Sequence, residues 1–187
     1  MRVNIDEIKE SGIERTWDVS REAVDEAVRG DPAGYRASDA AHVRAHLERL
    51  GRRVRLVARA GAELTAPCRR CLVPMGVAVP VSFQLTLVPA EEAEGEQADR
   101  HEKREGHGKG SFSPDEVDEE TYRGKVIDLD PLVREQLLLA LPRYPVCKDA
   151  CKGLCPVCGQ NLNEKDCGCD RDVPDPRWAG LEKLKRS

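Results

Sequence analysis

Hydrophobic and polar residues alternate strictly along "VAVPVSFQLTL", residues 77–87. Val77, Val79, Val81, Phe83, Leu85 and Leu87 fall on one side, and Ala78, Pro80, Ser82, Gln84 and Thr86 on the other. A period of two is that of a half-buried strand, and Pro80, which lacks an N–H, points to an edge or a bulge. Upstream, "RVRLVARAGAEL" sets Val54, Leu56, Ala58, Ala60, Ala62 and Leu64 against Arg53, Arg55 and Arg59. This predicts a second strand, so that "CRRC" at residues 68–71 sits at the turn between the two. A tight turn carrying CxxC has the form of a zinc knuckle.

The stretch "SDAAHVRAHLERLG", residues 38–51, supports two readings. As a helix capped by Ser38 and ended by Gly51, it places Ala40, Val43, Leu47 and Leu50 on one face. As a strand, Val43, Ala45 and Leu47 alternate with polar neighbours and hairpin to the next strand through "LGRR". The residues alone slightly favour the helix. A short helix is expected over 20–29, with Ser20 as its N-cap and Gly30 past its end. A firmer one runs through "LVREQLLLAL", capped by Asp130, opened by Pro131 and stopped by Pro142. A last short helix is expected from Asp175–Pro176, with Trp178, Leu181 and Leu184 along one side. Residues 90–118 carry almost no large apolar side chains and read as a disordered acidic loop. No internal repeat is visible.

Composition adds a constraint. The 187 residues are 40% hydrophobic but only 4% aromatic and 34% charged, so the core must be aliphatic and modest. A chain of this kind gains from metals or cross-links. The N-terminus "MRVNIDEIKE" lacks the apolar run of a signal peptide, and no stretch offers the apolar length of a membrane span. These features predict a cytoplasmic protein, where clustered thiols serve metal or redox chemistry rather than a disulfide framework. The net charge of −4 hides a partition. Residues 38–89 hold eight bases against three acids, whereas residues 90–120 hold four against twelve.

Eight cysteines carry the clearest chemistry. In "CPVCG", Cys155 and Cys158 have the spacing that lets two thiolates grip one ion from adjacent turns, and "CGC" supplies Cys167 and Cys169. Four thiolates satisfy tetrahedral zinc, whose binding contributes folding free energy outright. The remaining four, Cys68, Cys71, Cys147 and Cys151, form a second candidate quartet. Spacing leaves other pairings open, including a site of Cys68, Cys71, Cys155 and Cys158. The cofactor expected is Zn2+, two ions per chain.

Sharper readings fit less well. "CKGLCPVC" has the CxxxCxxC spacing of a 4Fe–4S radical enzyme, but the chain is too short and too poor in βα pattern for the barrel such chemistry needs. "CRRC" has the form of a redox dithiol with thiol pKa values lowered by arginine, yet it falls in a hairpin turn rather than at a helix start. "HEKRE" at His101 has Glu105 where a zinc protease needs its second histidine. His42 and His46 form a metal pair only on a helix, and a solvated face suits them better. No phosphate loop, nucleophile elbow or catalytic carboxylate pair is found. The arginines are the other candidate. Arg44, Arg53, Arg55 and Arg59 would project from strands, joined by Arg52, Arg69 and Arg70 at the turns. Clustered guanidinium groups are the footprint of phosphate binding, and the scarcity of aromatics favours structured RNA over base stacking.

The segments "CRRCL", "IDLDPLVREQLLLALPRYPVC", "CKGLCPVCGQNLN" with "CGCD", and "DPRWAGLEKLK" resemble the YceD family, also catalogued as domain of unknown function 177. The likeness spans nearly the whole chain. It implies a role in normal accumulation of 23S ribosomal RNA, and a gene that often neighbours that of a zinc-ribbon large-subunit ribosomal protein. In the family, Cys68 and Cys71 match the first cysteine pair, and Cys147 and Cys151 match a position where some members have His and Cys. Some members lack the later four cysteines, which supports two separate sites. The resemblance also implies a strand over residues 40–50. The long acidic insert departs from the family pattern.

The combined expectation is an α+β protein: an antiparallel sheet with a CxxC hairpin knuckle, a few helices and a C-terminal Cys-rich zinc ribbon. Its segments would be 1–89 (strands, short helix and knuckle), 90–118 (acidic loop), 119–145 (a helix-containing segment on the sheet) and 146–187 (ribbon and terminal helix). The expected function is non-enzymatic: support of 23S rRNA accumulation and large-subunit biogenesis. Its partners would be 23S rRNA or its precursor, or a large-subunit ribosomal protein, with no membrane and no small-molecule substrate. Arg44, Arg53, Arg55, Arg59, Arg69 and Arg70 are the RNA-contact candidates. The alternatives are a protein-interaction module of the translation or transcription machinery and a CxxC thiol oxidoreductase.

Overall fold

The computed structural model describes residues 1–93 and 118–170. Residues 94–117 of the acidic loop expected over 90–118, and the helix expected from 175, lie outside the described residues, while residues 90–93 are helical rather than disordered. The chain forms two compact units. The first comprises residues 1–66 and 76–143, and the second comprises residues 67–75 and 144–187.

The first unit is α+β. In chain order it contains β1 (Arg2–Asn4), a 3-10 turn (Ile5–Glu7), β2 (Ile13–Val19), α1 (Arg21–Val28), β3 (Arg36–Ala37), β4 (Ala41–Leu50), β5 (Arg53–Pro67), β6 (Pro74–Pro89), β7 (Glu119–Tyr122), β8 (Val126–Asp128) and α2 (Asp130–Leu139). β5 and β6 both run on past the unit boundary into the knuckle between them. The main sheet is ordered β2-β4-β5-β6-β7, with β3 pairing β5, and β1 pairs β8 in a separate ladder. The sheet is mixed rather than wholly antiparallel, because β6 and β7 pair in parallel over Thr86–Pro89. The stretch between Pro89 and Glu119 is longer than the dozen or so residues that a parallel return requires. Among the described residues β7 covers only this last part of β6, so Pro80 lies where β6 has β5 alone beside it, an edge position of the kind that tolerates proline.

Residues 41–50 form a strand, against the slight preference of the residues alone for a helix. β4 pairs antiparallel with β2 from Ile13↔Leu47 to Val19↔Ala41, and with β5 from His42↔Gly61 to Leu50↔Arg53. These two ladders occupy both of its edges, and Ala41, Val43, Ala45 and Leu47 become buried. A helix would have set Leu50 beside Leu47. In the strand Leu50 points the other way and is exposed. The gain from two ladders outweighs a weak local propensity.

The inner residues of β4, β5 and β6 pack on Val3, Ile5, Ile8, Ile127 and Leu129, giving an aliphatic core around Leu47, Leu56 and Leu87. α1 begins as expected, with the Ser20 hydroxyl accepting from the Ala23 amide. α2 differs at its start. Its N-cap is Leu129, without a side-chain cap bond, and Asp130 is the first helical residue. The Asp130 carboxylate instead accepts from the Trp17 indole N–H at 2.8 Å and from the Met1 amine. The fully buried Tyr35 donates its hydroxyl to the Pro142 carbonyl at 2.7 Å, tying the β3 approach to the end of α2.

Candidate metal centre

The second unit is built on two turns of the same form. In Cys68-Arg69-Arg70-Cys71-Leu72, the Leu72 amide donates to the Cys68 carbonyl at 2.9 Å, and the Cys68 amide donates to Val73 at 2.9 Å. In Cys155-Pro156-Val157-Cys158-Gly159, the Gly159 amide donates to Cys155 at 2.9 Å, and the Cys155 amide donates to Gln160 at 2.8 Å. Each turn thereby aims its own amides at the sulfur of its first cysteine. The small core of this unit is Cys68, Cys71 and Cys151, with Met75, Val146 and Leu154 against them.

The structure groups Cys68 and Cys71 with Cys147 and Cys151, and Cys155 and Cys158 with Cys167 and Cys169. Within each quartet the sulfurs lie within 4.8 Å of one another. Cys68 and Cys151 sulfurs are 3.9 Å apart, and Cys71 and Cys147 sulfurs 3.7 Å. A disulfide would need about 2.05 Å. Four sulfurs at about 2.3 Å from a tetrahedral ion stand about 3.8 Å from each other. Both quartets could therefore hold a metal ion.

The electrostatics fit a cation. Burial pushes the Cys68 thiol up, but the amides of Cys71, Arg70 and Cys147 aimed at its sulfur outweigh this and bring it down to about 6. Cys147 is pushed up to about 12 by desolvation and by the sulfurs of Cys151, Cys71 and Cys68. In the other quartet the amides of Cys158 and Val157 hold Cys155 down to about 6. Hydrogen bonding with Cys158 and Cys167, followed by desolvation, pushes Cys169 up to about 12. Each quartet thus holds one thiol lowered toward the thiolate by backbone amides and one raised by desolvation and the sulfurs around it. Four thiolates ionise together only around a positive charge.

Two supports escaped the sequence reading. Asn163 lies in the segment read only as turn formers, yet its Nδ2 donates to the Cys151 sulfur at 3.3 Å. Its Oδ1 accepts from the Lys152 amide at 3.0 Å. A sulfur of one quartet is thus braced from the loop that carries the other. The motif "NLN" could have signalled this, since an asparagine side chain can donate to a thiolate and hold a turn together. The second support is Arg70, whose guanidinium donates to the carbonyls of Asp149 at 2.9 Å and Cys151 at 3.1 Å. Gly153 completes the clamp. Its φ is +74°, and an added Cβ would stand 3.1 Å from the Arg70 carbonyl, so a side chain would be both strained and crowded.

The six arginines proposed to meet RNA divide by their partners. Arg53 is half-buried and donates to Glu92 at 2.7 Å and Glu119 at 3.1 Å. Arg55 donates to Gln84 at 2.9 Å and lies 3.9 Å from Glu48. Arg70 serves the clamp, and the Arg69 amide donates to Pro145. Arg44 and Arg59 stand directly opposite each other across β4 and β5, both exposed, with no counter-ion for either among the described residues. His42 and His46 lie on the same strand face, and the exposed His42 bonds Asp18 at 2.6 Å.

A family model described as large ribosomal RNA subunit accumulation protein YceD matches residues 56–185. The chain belongs to the YceD family. All eight cysteines fall inside the YceD match. Over 132 residues the chain is 28% identical to the large ribosomal RNA subunit accumulation protein YCED homolog 1, chloroplastic, of Arabidopsis thaliana, covering 65% of this chain and 41% of that protein. Over 74 residues it is 40% identical to uncharacterized proteins of Mycobacterium bovis and Mycobacterium tuberculosis, covering 37% of this chain and 35% of theirs. The chain spans less than half the length of these curated relatives. No solved structure matches it. Among the described residues, no helix is long and apolar enough to cross a membrane.

Proposed function

We propose that this chain is a non-enzymatic, zinc-stabilised factor in large-subunit ribosome biogenesis that supports 23S rRNA accumulation by binding RNA. The YceD family match and the name of the plant relative support the ribosomal role. The Arg44–Arg59 pair carries the RNA reading. Like charges directly opposite on a sheet face destabilise it, and a bound phosphate relieves that repulsion with forked guanidinium bonds. Zinc suits the quartets by ligand type and number, and the second quartet with its loop would be the C-terminal ribbon. The site of action would be the cytoplasm, on 23S rRNA or its precursor.

The test is RNA affinity at physiological salt in the double variant R44Q/R59Q. A drop of about tenfold against wild type is expected when a charge-assisted hydrogen bond is removed. Unchanged binding would remove these two arginines from the interface. In cells depleted of the protein, the ratio of 23S to 16S rRNA should fall, with missing large subunits.

A second reading, a protein-binding module, draws on the knuckle tips, where Leu72 and Val157 are 60% and 62% exposed. A thiol oxidoreductase would need an accessible nucleophile, and the Cys68 thiol, though its pKa is lowered to about 6, is fully buried.

A further inference from the structure

A cleft of about 370 Å³ opens between α1 and β3, lined by Arg21, Glu22, Asp25, Arg29, Arg36 and Ala37. Its floor is fixed by two bonds from the helix. Arg21 donates from Nε to the Ala37 carbonyl at 3.1 Å, and the Asp25 carboxylate accepts from the Ala37 amide at 3.0 Å. Among the described residues, Arg29, Arg36 and Glu22 have no ion pair or hydrogen bond through their side chains. Three guanidinium groups and two carboxylates therefore share one concave surface without neutralising one another by contact.

We propose that this cleft binds one ribose-phosphate unit of an RNA strand, which rests on the RNA-binding reading above. Three features choose this ligand. The lining carries no aromatic ring, so a base has nothing to stack on, whereas planar guanidinium forks match phosphate oxygens. The formal charge of the lining is three positive against two negative, which complements a singly charged phosphodiester better than a doubly charged terminal phosphate. The carboxylate of Glu22 and the second oxygen of Asp25 are acceptors for a ribose 2′-hydroxyl, the group that separates RNA from DNA. Arg36 pairs with Thr65 on β5, and Thr65 points to the same sheet face as Arg59. Thr65 lies six residue steps along the strand from Arg59, about 20 Å. An RNA strand lying on Arg44 and Arg59 can thus continue to the cleft.

The experiment measures binding of a short labelled single-stranded RNA, and of DNA of the same sequence, to the full zinc-loaded chain over a range of salt. R29Q/R36Q should weaken RNA binding about tenfold and reduce the salt slope by roughly 0.7 for each phosphate no longer neutralised. E22A, which removes the acceptor, should narrow the preference for RNA over DNA, read as the ratio of the two affinities. Thermal unfolding checks the fold of each variant. R29K/R36K keeps the charge and removes only the fork, and should weaken binding on its own. If R29Q/R36Q binds RNA like wild type while R44Q/R59Q does not, the cleft is not an RNA site and the RNA reading survives. If wild type binds no RNA but binds AMP or inorganic phosphate through Arg29 and Arg36, the phosphate comes from a small molecule and both readings fall. Binding of neither overturns both as well.

Discussion

Leu72 occupies in the first knuckle the backbone position that Gly159 occupies in the second. Both donate their amide to the carbonyl of the cysteine four residues before, with φ of 60° at Leu72 and 75° at Gly159. Leu72 is the one non-glycine residue with positive φ among the described residues. The left-handed region costs a residue with a Cβ about 1–2 kcal/mol, and the extra freedom of unfolded glycine returns part of that. Because the Leu72 side chain is 60% exposed, little burial is lost with it. L72G should therefore stabilise the metal-loaded protein by about 0.5–1 kcal/mol. Thermal unfolding would read this as a Tm raised by a few degrees, and an unchanged or lowered Tm would show that Leu72 is held by contacts worth more than the strain.

The two quartets should bind two zinc ions per chain, in line with the proposal above. Native mass spectrometry of C68S/C71S and of C155S/C158S should each find one ion fewer than wild type. Retention of two ions in either variant would contradict the partition of cysteines into these quartets.

Asn163 supports the first quartet from the loop that carries the second. Its amide bonds the Cys151 sulfur, and a donor that holds a metal ligand from behind in this way is worth about 10–100-fold in metal affinity. N163A should weaken one of the two sites by about tenfold in a competition with a chelator and leave the other untouched. A uniform loss at both sites would instead mean that the loop has unfolded.

Trp17 and Asp130 link β2 to the first turn of α2. D130A leaves the indole N–H without its charged acceptor and should destabilise the protein by about 1–3 kcal/mol. W17F, which removes the donor and keeps most of the apolar ring, should cost less. Urea unfolding curves for the two variants decide the order.

His42 gives stability a dependence on pH. The hydrogen bond to Asp18, and then its charge, raise the His42 pKa above its ordinary value of 6.5. The folded state therefore holds this proton more tightly than the unfolded chain. Its contribution is fully present below the unfolded pKa and is lost as pH rises through the higher folded value. Between about pH 6 and about pH 9, the Tm of wild type should fall more than that of D18N. Parallel curves would mean that solvent screens the exposed pair completely.

Much of the site was legible because its chemistry is local. CxxC spacing places two sulfurs on one turn by backbone geometry alone, so both knuckles could be read from "CRRC" and "CPVCG". The long strands β5 and β6 were equally legible, since their period of two runs without interruption. What the sequence left open depends on partners distant along the chain. Spacing permitted several pairings of cysteines, and three-dimensional proximity brings Cys147 and Cys151 to Cys68 and Cys71 across more than 70 residues. The strand at 41–50 was decided by ladders on both edges, which no property of those ten residues contains. The short strands β1, β3, β7 and β8 were missed because two to four residues carry no readable period. The arginines looked alike in sequence. Only the fold gives Arg53 its carboxylates and Arg70 its carbonyls, and leaves Arg44 and Arg59 facing one another, because a side chain's free charge is set by what the tertiary structure places beside it.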